Sequence, residues 1–174
     1  MRTSIIAAVS QNSVIGKDGE IPWPRLKRDQ DRFCRLTKGR IVIVGRKTHE
    51  SVLRRLRRPL IGCTTVVVTR NPAFKADGCE VVNSLETALD FGRQRGEKEV
   101  FVVGGAELYW QTIFRADRLY ITIVSIFPPG DAFFPPYPPP PEDAWRKVKE
   151  ELHLRDDKNP LSCTFVEWEK KGFA

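Results

Sequence analysis

Short apolar runs rich in β-branched residues alternate along this chain with longer stretches whose apolar positions recur at helical spacing. The runs predict strands over residues 4–9, 41–44, 64–69, 80–82, 100–103 and 118–126, with two late strands near 146–153 and 163–169. The periodic stretches predict helices over 25–37, 48–55, 84–95 and 106–114, the third with Ser84 as N-cap and Glu86 in its first turn. Strand–helix alternation implies an α/β fold, a mostly parallel central sheet with helices on both faces. The late strands, with no helix between them, imply an antiparallel C-terminal edge. Before them, Pro128-Pro129-Gly130-Asp131 and the run from Pro135 to Pro141 read as a stiff extended connector.

One predicted helix breaks its own pattern. Leu26, Phe33 and Leu36 form an apolar stripe on which Asp29 also falls, while Arg25, Arg28, Asp31, Arg32 and Arg35 are expected largely elsewhere. A carboxylate among apolar neighbours is costly unless paired, and tends toward a perturbed pKa. It suits proton chemistry or a grip on a ligand's donor pair; an acid held by an arginine, or one reaching water at the stripe's edge, fits as well.

Composition narrows the classes. With 174 residues, 41% of them hydrophobic, the chain suits one soluble domain over residues 1–174. The apolar run Ile5-Ile6-Ala7-Ala8-Val9 is too short to span a membrane and lacks a cleavage site, which sets a cytoplasmic expectation. Cys34, Cys63, Cys79 and Cys163 show no metal or redox spacing, and with two histidines, His49 and His153, no metal site is expected. The net charge of +7 suits an anionic ligand or nucleic acid. The basic residues are dispersed except for Arg54-Arg55-Leu56-Arg57-Arg58, which reads as a solvated rim, so nucleic acid is not the expected partner.

Ligands of a parallel sheet sit beyond the carboxyl ends of its strands. Gly45-Arg46-Lys47-Thr48 follows the second strand and brings two cations to a helix N-terminus. Thr69 and Arg70 follow the third, a hydroxyl and a guanidinium fit for a terminal phosphate. Gly104-Gly105-Ala106-Glu107 follows the fifth, where paired glycines let a pyrophosphate approach closely. This is neither a G-x-G-x-x-G fingerprint nor a P-loop. Together the three ends favour a dinucleotide with an extra phosphate, NADPH over NADH.

The order of these residues resembles the dihydrofolate reductase family. The resemblance runs through Ile6-Ala7-Ala8, Val14-Ile15-Gly16, Ile21-Pro22-Trp23, Asp29 and Phe33, then Gly45-Arg46-Lys47-Thr48 and Arg58-Pro59-Leu60. It continues through Val103-Gly104-Gly105-Ala106-Glu107-Leu108-Tyr109, Leu119-Tyr120-Ile121-Thr122 and Gly130-Asp131. It implies hydride transfer from NADPH to C6 of 7,8-dihydrofolate with protonation of N5. Asp29 would then hold the pterin and favour that protonation, with Thr122 bracing the carboxylate and Trp23 holding an ordered water. Ile6, Ala8, Ile21, Gln30, Phe33, Val52, Leu60 and Val103 would complete the substrate site. Residues 15–21 would form a lid, with Gly16 and Gly19 supplying its flexibility. Ala8, Ile15, Gly16, Gly45, Arg46, Lys47, Thr48, Thr69, Arg70, Val103, Gly104, Gly105, Ala106, Glu107, Leu108 and Tyr109 would serve the cofactor.

The chain departs from that pattern at Cys63, where the family usually has an arginine for the carboxylate of folate's glutamate tail. Losing one such contact would weaken binding by roughly 2–4 kcal/mol. Arg57 or Arg58 could replace it, the substrate could lack the tail, or poor affinity could be tolerated. Gln30 stands where an apolar residue is commoner, and His49 where tryptophan is common; His49 is expected on the surface or in helix packing. The rivals are a reductase of the same fold with a tail-less substrate and a non-catalytic NADPH- or anion-binding module. A monomer acting on a small molecule, away from membranes, is expected.

Overall fold

Apolar strands covered on both faces dominate the computed structural model, which describes residues 1–172. The elements run β1 (Arg2–Ser10), β2 (Val14–Gly16), α1 (Lys27–Thr37), β3 (Ile41–Gly45), α2 (Arg46–Leu56), β4 (Thr64–Val68) and β5 (Glu80–Val82). They continue with α3 (Leu85–Gln94), β6 (Glu99–Val102), α4 (Ala106–Thr112), β7 (Arg118–Val124), β8 (Ala132–Phe133), β9 (Trp145–His153) and β10 (Cys163–Lys170). One eight-stranded sheet has the order β5-β4-β3-β6-β1-β7-β10-β9. Pairings from β5 through β7 are parallel. Those of β10 with β7 and β9 are antiparallel, as the helix-free tail predicts.

Burial explains the continuous apolar runs. Ile41 to Val44 are each at most 1% exposed because helices and connections cover both sheet faces. One core layer gathers Ile5, Ile43, Val66, Leu89, Val102 and Ile121, among others; a second layer joins Ile6, Val42, Phe101 and Tyr120. Ser84 caps α3 as expected, accepting from the Thr87 amide at 3.1 Å.

The structure corrects several expectations. α1 starts at Lys27 because Leu26 is still extended, and α2 starts at Arg46, two residues early, because Gly45 caps it without a polar side chain. The Pro-rich stretch is more than a connector. Its β8 pairs with β2, and Phe134 is buried against the rings of Tyr109 and Tyr137, at 4.8 and 5.4 Å between centroids. Arg32, expected away from the apolar stripe, is 3% exposed. It lies three residues from Asp29, which on a helix is the same side.

Candidate active site

Two strand-end turns meet at the carboxyl edge of the sheet. The Gly45 amide donates to the Gly104 carbonyl at 2.6 Å, tying the start of α2 to the turn after β6. Gly104 has φ +100°, and a β-carbon there would stand 3.0 Å from the Tyr109 ring. One on Gly105 would stand 2.8 Å from Thr48 Oγ1. Close approach of the two turns therefore requires glycine at 105, and the positive φ and the Tyr109 ring require it at 104; a cis peptide joins the two glycines.

These turns open onto a cleft of about 860 Å³. Of the residues expected at the cofactor, Ile15, Gly16, Gly45, Arg46, Lys47, Thr48, Thr69, Arg70, Gly105, Ala106, Glu107 and Leu108 line it. Ala8, Val103, Gly104 and Tyr109 are not among its lining residues. Tyr109 instead supports the turn from behind, its buried hydroxyl donating to the Ile6 carbonyl at 2.9 Å. The sequence reading missed Ser51, Asn71, Asn83, Ser84 and Gln111, which also line the cleft. Asn83 and Ser84 directly follow β5, so the same strand-end rule could have found them.

The cleft's cations differ in how they are held. Arg46 pairs with Glu50 at 2.8 Å and faces the Phe74 ring. Arg70 reaches Glu107 at 3.5 Å, and both are well exposed. Lys47 makes no ion pair among the described residues. Cations at the rim, the N-terminus of α2 and a glycine-lined cradle fit a phosphate-bearing dinucleotide.

Asp29 lies on the half-buried side of α1. Burial pushes its carboxyl above the ordinary carboxylate value, while the Thr122 hydroxyl and the charges of Arg32 and Arg55 pull it back. Thr122 is fixed in β7 between Ala8 of β1 and Phe165 of β10. Ile6, Phe33, Leu60 and Val103 pack together as one apolar cluster, with Cys63 among them. Trp23, 7% exposed, packs with Leu26, Val124 and Ala8. Val52 is half-buried on α2, outside these clusters, and the Gln30 amide oxygen is taken by Arg25.

The segment expected to act as a lid carries a tight turn. Lys17 and Glu20 exchange backbone hydrogen bonds around Asp18 and Gly19, both at positive φ. The Asp18 amide donates to Asp131 at 2.9 Å. Gly16 is buried at extended backbone, where an added β-carbon would meet that of Ala132 at 3.2 Å, so it also serves close packing against β8. Ile21 lines the cleft and is 43% exposed.

His49 is buried in helix packing, its pKa pushed down by desolvation. All four cysteines are free thiols, and no metal-binding group of side chains occurs among the described residues. In the basic run, Arg55 is the residue whose charge reaches Asp29. No described helix is long and apolar enough to cross a membrane.

Known proteins share this arrangement along its length. The family model described as dihydrofolate reductase matches residues 2–170. The chain is 41% identical over 166 residues to the type 3 dihydrofolate reductase of Salmonella typhimurium, covering 95% of this chain and 96% of that one. It is 40% identical over 169 residues to the Bacillus subtilis dihydrofolate reductase, covering 97% and 95%. The structure of the Enterococcus faecalis dihydrofolate reductase, complexed with NADP(H) and RAB-propyl, superposes with a TM-score of 0.84. That match has 29% identity over 98% of this chain and 96% of the other. A buried acid on a helix, a glycine-tied cleft and similarity over nearly the whole length agree: this chain belongs to the dihydrofolate reductase family.

Proposed function

We propose that this chain reduces 7,8-dihydrofolate to tetrahydrofolate with NADPH, Asp29 serving as the acid of the pterin site. The observation that carries the reading is a carboxyl held above its ordinary pKa by burial, Asp29, on the same helix as Phe33 of the Ile6, Phe33, Leu60 and Val103 cluster. NADPH, when bound, supplies the hydride that goes to C6, and N5 takes a proton. Residues of the chain do the rest. Gly45, Arg46, Lys47, Thr48, Thr69, Arg70 and the turn from Gly104 to Glu107 hold the phosphates. Tyr109 backs that turn. Asp29 accepts two pterin donors bidentately, orienting the ring and favouring the protonated form of N5. Trp23 holds the ordered water beside it. The apolar wall excludes bulk water from the hydride path.

A second reading has one observation in its favour. Cys63 packs in the apolar cluster, and burial pushes its thiol up, so it stays neutral and offers no charge to a carboxylate. A substrate without the glutamate tail would not need one. Loss of NADPH absorbance with dihydrofolate and with a tail-less dihydropterin tests both readings. A strong preference for dihydrofolate supports tail binding through another cation such as Arg55, Arg57 or Arg58; equal or better use of the tail-less ring supports the second reading. The reading extends to one cytoplasmic, monomeric domain acting on a small molecule and not on nucleic acid. Sedimentation tests the monomer, and a nucleic-acid shift assay tests the absence of nucleic-acid binding.

A further inference from the structure

Arg32 is a buried cation that the proposed chemistry leaves unused. Its guanidinium donates to the Ile121 carbonyl and to Thr122 Oγ1, both at 3.2 Å, and pairs with Glu167 at 3.4 Å. It also lies over the Phe165 ring, 4.5 Å from its centre. A guanidinium can only donate, so the Thr122 oxygen that receives it is an acceptor there. The hydroxyl proton of Thr122 is then free to point to Asp29. We propose that Arg32 is a positioning residue for the acid: it sets Thr122 as a donor toward Asp29 and, through its charge, sets the pH range of the reaction. This rests on Asp29 being the acid of the site.

The surroundings leave few other charges to do this. Facing Arg32 or Asp29 are Glu167 and Cys163 of β10, Tyr120 of β7, Glu151 and His153 of β9, Arg55 of α2 and Tyr109 of α4, besides Arg28 on α1. Burial pushes Tyr120 up to about 12 and Cys163 to about 11, and it pushes His153 down, so all three are neutral near neutral pH. Glu167 is shared with Arg118, which it meets at 3.0 Å, so it keeps a partner if Arg32 is replaced. Arg32 and Arg55 remain as the cations acting on Asp29, and Arg32 acts the more strongly.

The test is the pH dependence of single-turnover hydride transfer in wild type, Arg32→Gln, Arg32→Met and Arg32→Lys. Alongside it, carbon NMR follows the titration of the Asp29 carboxyl in the unliganded protein. Removing a cation favours protonation of Asp29, and of a substrate nitrogen beside it. Both neutral variants should therefore move the midpoint up by about one pH unit. Arg32→Lys should restore most of the shift. Arg32→Gln keeps an amide donor at Thr122, so its difference from Arg32→Lys isolates the charge and carries the test if Arg32→Met fails to fold. Unchanged midpoints in a folded Arg32→Gln protein, with only its melting temperature altered, would overturn the proposal and leave Arg32 a staple between β7 and β10. If Asp29→Asn kept its turnover, the acid assignment itself would fall, while the NMR titration would still report whether Arg32 acts on Asp29.

Discussion

Glu20, on the turn that overhangs the cleft, is gripped by Arg54 of α2 through Nε at 3.1 Å and Nη2 at 2.9 Å. Ser51 adds a hydrogen bond to the same carboxylate at 3.1 Å. These groups are exposed, so the pair contributes little to stability, about 0.2–1 kcal/mol. Its position matters more, because Glu20 and Ser51 both line the cleft. Arg54→Ala should leave the melting curve nearly unchanged and speed cofactor release severalfold, read by stopped-flow fluorescence. An unchanged release rate would show that this turn holds its place without Arg54.

Arg70 should discriminate between cofactors. It is exposed at the cleft rim and, among the described residues, pairs with Glu107 alone, so it can turn toward a phosphate with little loss. A charge-assisted hydrogen bond contributes about 1.5–3 kcal/mol, or roughly tenfold or more in affinity. Arg70→Ala should weaken NADPH by that factor and leave NADH nearly unaffected in fluorescence titrations. Equal losses would remove the phosphate from Arg70.

Asp29 should cost stability while serving the reaction. Burial raises its carboxyl above the ordinary value of 3.8, so the folded protein binds that proton more tightly than the unfolded chain does. The stabilising contribution is complete below the unfolded value and is lost as pH rises through the folded one. Asp29→Asn should therefore melt above wild type at neutral pH, with the gap closing in acid. A gain of only about 1 kcal/mol would raise the melting temperature by roughly 2–4 °C. A lower melting temperature at neutral pH would mean that the carboxylate is stabilised in place.

Phe134 links the Pro-rich stretch to the cofactor turn through Tyr109. Phe134→Ala should cost about 3–5 kcal/mol in urea denaturation, the range for emptying a buried phenylalanine site. It should also weaken NADPH, because Tyr109 backs the Gly104 turn. A loss under about 1 kcal/mol would return this segment to a simple connector.

The strands and the cofactor cleft were legible because their signals are local. β3, β4 and β6 are apolar runs buried on both faces, and each ends in residues whose chemistry stands next to it in sequence. Pairing of β2 with β8 was not legible: three residues meet two across more than a hundred positions, with no pattern long enough to read. Charge alone places Arg32 in solvent, yet it is buried. At three residues from Asp29 it had to share that side of α1, and its partners Thr122 and Glu167 come from distant strands. The contact of Gly16 with Ala132 was likewise not legible, since it depends on the same distant pairing of β2 with β8.

The most direct measurement is the initial rate of NADPH loss with dihydrofolate for wild type and Asp29→Asn at neutral pH. The account predicts turnover by wild type and a fall of about 10²–10⁴ in the variant, with NADPH binding intact in both. Near-normal turnover by Asp29→Asn, or a wild type that binds NADPH and does not turn over, would contradict it.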